Sequence, residues 1–311
     1  MPVDLQRVRV SAQRTAGRGR DENFPADRDE STAVEAGLDV LDAPSPPQPS
    51  LRRRICRSVV PAVVSAAVLV LLWQLFVMSG VKPTYTVPGP GQVWSALVEE
   101  VTKGHAQAAV LNSLRRGAVG FGASVIVGTA LALALAQLRF VRRGVGPLLT
   151  GLQSLPSVAW VPAAILWFGL ADGAIYAVVL LGAVPSIANG LLAGIDQVPP
   201  AYRRVARVLG AGRWAEIVWV VLPAALPGYL GGLRQGWAFA WRSLMAAELI
   251  AYSPQLGPGL GQLLDTGREL SDMPLVLASV LLILFVGIGV EVTVFAPIER
   301  AVLRRRGLAG R

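Results

Sequence analysis

Lysine, histidine and cysteine are nearly missing from these 311 residues: two lysines (Lys82, Lys103), one histidine (His105) and one cysteine (Cys56). Each scarcity excludes something. A phosphate-cradling loop needs the pattern GxxxxGK[ST], whose lysine reaches the terminal phosphates. Lys82 precedes Pro83 and Lys103 precedes Gly104, so neither can fill that role, and the sequence carries no nucleotide loop of this kind. A single cysteine permits no intrachain disulfide and no cysteine-rich metal site. His105 sits in a polar connection, where a histidine is usually a solvated side chain. HExxH, GxSxG and paired catalytic carboxylates are all absent. Charge is scarce too, at 16% of residues against 53% hydrophobic, whereas soluble domains carry about 25% charged residues. With a mean hydropathy of +0.52, the balance fits a polytopic, all-α membrane protein.

What is present is a series of apolar runs divided by arginine clusters. Residues 1–50 are rich in Arg, Asp, Glu, Ser and Pro and end in APSPPQPS. They have too little apolar surface to offset the entropy of ordering, and we expect a disordered cytoplasmic tail there. Residues 51–311 then form one transmembrane domain. The first expected span is 59–78, since twenty helical residues cover about 30 Å, the thickness of the hydrocarbon core. The others are 117–138, 147–170, 174–195, 224–251 and 274–296. A proline-rich loop from Gly80 to Gly91 and a short surface helix from Gln92 to Val101 separate the first two.

The arginines orient the six spans. Clusters at Arg52–Arg54 and Arg57, at Arg139, Arg142 and Arg143, at Arg203, Arg204, Arg207 and Arg213, and at Arg300 and Arg304–Arg306 hold fifteen basic residues. The opposite side holds five: Lys82, Lys103, Arg115, Arg116 and Arg268. This bias predicts both termini in the cytoplasm of a cell-membrane protein. It also explains the net charge of +9 without nucleic acid, because the clusters flank apolar runs. Arg115 and Arg116, at the outer end of the second span, run against the rule.

Inside the spans, costly or helix-disturbing residues mark candidates for a translocation path: Pro156 and Pro162 in the third, and Trp237, Trp241, Arg242 and Glu248 in the fifth. Arg242 could attract an anion. The glycines and tryptophans from Gly228 to Trp241 read chiefly as a helix-packing surface.

One stretch between apolar runs is charged and patterned: PPAYRRVARVLGAGRWAEIVWVVLP, from Pro199 to Pro223. Two prolines suit a helix start. Ala201–Leu209 predicts a short amphipathic helix with Val205, Ala206, Val208 and Leu209 on its apolar side and Arg203, Arg204 and Arg207 opposite. Gly210 and Gly212 break it, and a second helical pattern begins at Trp214, interrupted by Pro223. A helix–glycine–helix of this sort is a shape for docking a partner.

The spacing of this stretch resembles the cytoplasmic signature loop of ABC importer permeases, in which EAA is followed after three residues by Gly and, further on, by Leu-Pro. Here Arg204-Val205-Ala206 stands for EAA, then Gly210, Val220 and Leu222-Pro223. SLPSVAWVPAAILWFGL, LPAALPGYLGGLRQGWAFAWRSLMAAELI and YTVPGPGQVW are similar to the nitrate, sulfonate and taurine group of that family. The resemblance implies a type I permease bundle of six transmembrane helices without its own ATP site. A second permease copy, an extracytoplasmic substrate-binding protein and a dimer of ATPase subunits that bind ATP and Mg would complete the importer. It also implies that a loop over 196–223 couples to the ATPase through Ala201, Tyr202, Arg203, Arg204, Val205, Ala206, Arg207, Leu209, Gly210, Ala211, Gly212, Leu222 and Pro223. One departure stands out: Arg204 and Val205 replace the family's Glu and Ala, so a matched change on the cognate ATPase is expected. The alternative is a transporter driven by an ion gradient, which needs intramembrane acids; only Glu248 and Glu291 are placed to serve.

Overall fold

The computed structural model describes residues 51–251 and 257–306, with the side chains of 51–59 and Arg139 outside that description. The expected disordered tail, 1–50, thus lies outside the described residues. The chain divides into residues 1–67 and 68–311, and helix α1, Leu51–Met78, runs across the boundary. Its Val60–Met78 part is apolar all round, with a mean hydropathy of 2.3, as a helix facing lipid must be.

Within 68–311 the helices follow in order: α2 (Pro90–Thr102), α3 (His105–Gln137), α4 (Arg139–Ser154), α5 (Val161–Phe168), α6 (Asp172–Asp196), α7 (Pro200–Val208), α8 (Arg213–Ile250), α9 (Leu260–Glu269) and α10 (Met273–Arg305). Among the described residues α1, α3, α6, α8 and α10 are long and apolar enough to cross a membrane, five in all, or six if α4 and α5 form one span.

Prolines decide several boundaries. The expected third span is bent by 99° where Phe140–Ser154 meets Ser157–Phe168. Leu155 is extended (φ −75°, ψ 130°) and Pro156 follows at φ −59°, ψ 123°. A proline disfavours the helical conformation of the residue before it and lacks an N–H for the ladder. Pro223 behaves differently. Instead of interrupting the helix it sits just past a π turn at Ile217–Val221, and α8 continues through it. Pro297 follows a second π turn at Glu291–Phe295 in α10. The wider turn relieves the clash between a proline ring and the carbonyl four residues back, so both helices extend past the apolar runs that predicted them.

The second span is also longer than its apolar run. α3 starts at His105, twelve residues before Gly117, and takes in Arg115 and Arg116. Its 33 residues reach about 50 Å.

α6 is the most buried span and packs chiefly on α8 and α3. The α6–α8 contact is glycine against glycine. A Cβ added to Gly190 would lie 2.3 Å from the Gly232 Cα, and one on Gly228 would lie 2.6 Å from the Gly194 Cα. Two GxxxG patterns, Gly190/Gly194 and Gly228/Gly232, therefore bring the backbones into direct contact, which is how helices associate where lipid offers no hydrophobic drive. Around this seam one apolar cluster gathers Ile175, Val179, Ile187, Trp237, Trp241 and Leu244; a second, nearer α7, gathers Leu135, Leu149, Leu191, Ile195 and Val221.

Candidate coupling loop and translocation site

The docking stretch folds around one glycine. Pro199 caps α7 and Pro200 opens it. At the other end Gly210 adopts φ +81°. Its N–H donates to the Arg207 carbonyl at 3.0 Å and the Ala211 N–H to the Ala206 carbonyl at 3.0 Å, the paired bonds of a Schellman motif. No heavy atom lies within 4 Å of where a Gly210 Cβ would be. Glycine is needed there for the left-handed backbone and not for room.

The orientation of α7 corrects the expected faces. Ala206 is buried, but Val205, Val208 and Leu209 are 57%, 86% and 80% exposed. Tyr202 is exposed as well. Opposite that side, the half-buried Arg203 and the exposed Arg207 border a cavity of about 490 Å³ between α7, α3 and the start of α8. Arg207 Nε donates to Glu216 Oε2 at 3.0 Å, and that carboxylate holds the guanidinium above its ordinary pKa. The reason is geometric: the Schellman turn reverses the chain so that Arg207 meets the start of α8. Arg204 stays on the exposed side, while Gly212 caps α8 and Leu222 and Pro223 follow its π turn. Exposed Trp214 and Trp219 suit the headgroup level.

The intramembrane candidates fall into two places. Pro156 and Arg242 line a cavity of about 290 Å³ with Gln153, Ser154, Ser157 and Phe239, at the break between α4 and α5. Arg242 Cζ stands 5.2 Å from the Phe239 ring centroid, a cation–π contact. Gln153 donates to Ser186 at 2.7 Å and accepts from Asn189 at 3.0 Å. Trp237 and Trp241 are elsewhere: they stack at 5.9 Å between ring centroids, with Phe121 edge-on to Trp237 at 5.4 Å, in the core facing α3 and α10. Pro162 is exposed in the second position of α5 and does not border that cavity.

Glu248 is fully buried in a polar network near the other end of α8. It accepts from Ser113 Oγ at 2.7 Å, from Arg116 Nη1 at 3.1 Å and from the Gly261 N–H at 3.1 Å. Ser113 Oγ accepts from the Leu260 N–H at 2.9 Å, and Arg116 Nε donates to Asp172 at 2.9 Å. Arg116, read as a stray outer charge, is 4% exposed and is the counter-ion of Glu248. Gly259 belongs to the same site, since a Cβ there would lie 2.7 Å from the Glu248 carboxyl. Asp265 is likewise buried beside Arg268, where a solvated face would be the usual reading of its spacing. Glu291, the other intramembrane acid, meets Arg234 at 2.5 Å, although the angle leaves that oxygen without a proper hydrogen bond.

Sequence reasoning missed Ser113, Asp172, Gln153, Ser186 and the Gly190/Gly194 pair. Only the GxxxG spacing of Gly190 and Gly194 carried a local signal.

The described residues thus form an all-helical bundle with spans long enough for a membrane and one exposed, glycine-terminated helix between two of them. Residues 124–296 match the family described as binding-protein-dependent transport system inner membrane component, and the chain belongs to it. It is an ABC importer permease of the group that includes taurine and nitrate permeases. It is 30% identical to the taurine transport system permease protein TauC of Escherichia coli over 73% of this chain and 82% of that protein. It is 27% identical to the nitrate import permease protein NrtB of Synechococcus elongatus, over 70% and 81%. It is 31% identical to the riboflavin transport system permease protein RibX of Chloroflexus aurantiacus, over 68% and 78%.

Proposed function

We propose that this chain is the pore subunit of an importer in which ATP, with Mg, is hydrolysed on separate cytoplasmic subunits that dock on α7. The arginine bias supports a cytoplasmic placement of both termini and α7, and with α7 of the 490 Å³ cavity. The observation that carries the reading is the exposed apolar side of α7, Tyr202, Val205, Val208 and Leu209, held at a fixed angle by Gly210. An amphipathic helix whose apolar side is open fits a groove on a partner. The solute, delivered by an extracytoplasmic binding protein, passes between two copies of the chain by alternating access. Both intramembrane acids already face arginines, Glu248 with Arg116 and Glu291 with Arg234. That pairing suits a structural role for both acids and favours ATP over an ion gradient as the energy source.

The relatives' names span taurine, nitrate and riboflavin, so kinship alone does not choose the solute. Arg242 beside the helix break favours a small anion such as a sulfonate or nitrate.

The test is Gly210→Val in proteoliposomes carrying the assembled importer. A β-branched residue at positive φ costs about 1–2 kcal/mol and releases the angle of α7. Uptake per ATP hydrolysed should fall several-fold, with Gly210→Asn, which tolerates this backbone, close to the parent. An unchanged ratio in the valine variant overturns the coupling role.

A further inference from the structure

The second basic feature of the chain is the cavity under α7, and the docking role does not use it. Its polar lining is Gln137 from α3, Arg203 and Arg207 from α7, and Arg213 and Glu216 from α8, with Ile195 among the apolar residues. Glu216 already pairs with Arg207. Asp196, whose charge reaches Arg203, is held by both terminal nitrogens of Arg142. Arg203 and Arg213 therefore line the cavity with no carboxylate within 4 Å among the described residues. The buried Nε of Arg203 also lacks any hydrogen-bond partner there. A buried donor left unmade is costly, and the half-buried Arg203 and exposed Arg213 add two guanidinium groups to a lining whose one acid, Glu216, is already paired, so the space favours negative charge. At about 490 Å³ it has room for a small anion and several waters, each taking about 30 Å³.

From this geometry we infer that the cavity is a cytoplasmic oxyanion site, in which Arg203 and Arg213 clamp a small ion with two or more acceptor oxygens. Guanidinium groups favour such ions because their paired N–H groups match two oxygens at once. Arg203 lies on α7 and Arg213 on α8, so a bound oxyanion bridges the docking helix to a long span and stiffens their joint. Two sources share this chemistry: phosphate released by the ATPase docked nearby, and an oxyanion solute accumulated inside the cell. Either would make the coupling helix sensitive to a product of transport.

The site is testable on the full-length chain in nanodiscs by calorimetry with inorganic phosphate, sulfate and ethanesulfonate, without the binding protein or ATPase. Failure here is thus separate from failure of the docking role. Saturable binding should weaken roughly ten-fold or more in Arg203→Gln with Arg213→Gln, which removes two charge-assisted contacts. Glu216→Gln should strengthen it by removing the competing carboxylate, a change of opposite sign that poor folding would not produce. Binding of phosphate but not ethanesulfonate assigns the site to the ATPase product, and binding of ethanesulfonate assigns it to the solute. No saturable binding of any of the three ions, or binding unmoved by these substitutions, overturns the inference.

Discussion

Glu248 sits where polar groups depend on their partners. It is fully buried, and the desolvation cost of an ion there amounts to several kcal/mol. Arg116, Ser113 and the Gly261 N–H together complete its shell. Such a pair adds little net stability over apolar residues, but removing one partner strands the other charge. Glu248→Ala and Arg116→Ala should each destabilise the purified protein by about 3–5 kcal/mol, read as a lowered midpoint of thermal unfolding in detergent. Replacing both with methionine should cost less than either single change. If the double variant melts lower than both singles, the two side chains are not acting as a charge pair.

At the scale of elements, the α6–α8 seam is held by the absence of side chains. Gly190 and Gly232 each lie against the partner's backbone, whereas Gly231, one residue along, has no heavy atom within 4 Å of a modest addition. Gly190→Ala should therefore separate the helices and cost about 1–3 kcal/mol of overpacking. Gly231→Ala should be neutral or slightly stabilising through its helix propensity. Thermal unfolding of the two purified variants checks this, and equal midpoints would show that the seam is not the tight contact. The same seam spans the molecule's length, since α8 runs from Arg213 beside α7 to the Glu248 network near its far end, and α6 beside it ends on Asp196.

At the scale of the molecule, Arg242 faces outward from a single chain, eight residues from the end of α8 and so about 12 Å along it. A charge facing lipid at that depth costs about 2.5–3.5 kcal/mol even on the mildest scale. A second copy or a water-filled path would remove that cost, and the proposed path role of Arg242 requires the latter. Arg242→Gln should lower uptake of an anionic solute by roughly 10–100-fold, the worth of one charge-assisted hydrogen bond, while leaving the assembled complex intact by size-exclusion chromatography. Parental uptake in that variant would remove Arg242 from the path.

Local rules made much of this protein legible in its sequence. The apolar runs marked the spans, the arginine clusters implied their orientation, and the spacing from Gly210 to Leu222-Pro223 marked the docking loop. Gly210 could be read because its role is set by its own backbone angle, and Pro156 because its ring acts on its immediate neighbour. Pro223 and Pro297 were harder, since a π turn absorbs them inside helices that packing holds together. The side of α7 that faces inward was decided by the reversal at Gly210 and by Glu216 beyond it. The partner of Arg116 was decided by tertiary structure alone: Glu248 lies 132 residues away. Nothing local distinguishes an arginine that orients a span from one that neutralises a buried acid. For α7, then, the sequence determined that a short helix exists and where it ends. Only the folded chain decided that its apolar side stands open while Arg203 turns in beneath it and Arg207 reaches Glu216, because that depends on which surfaces α3 and α8 leave beside it.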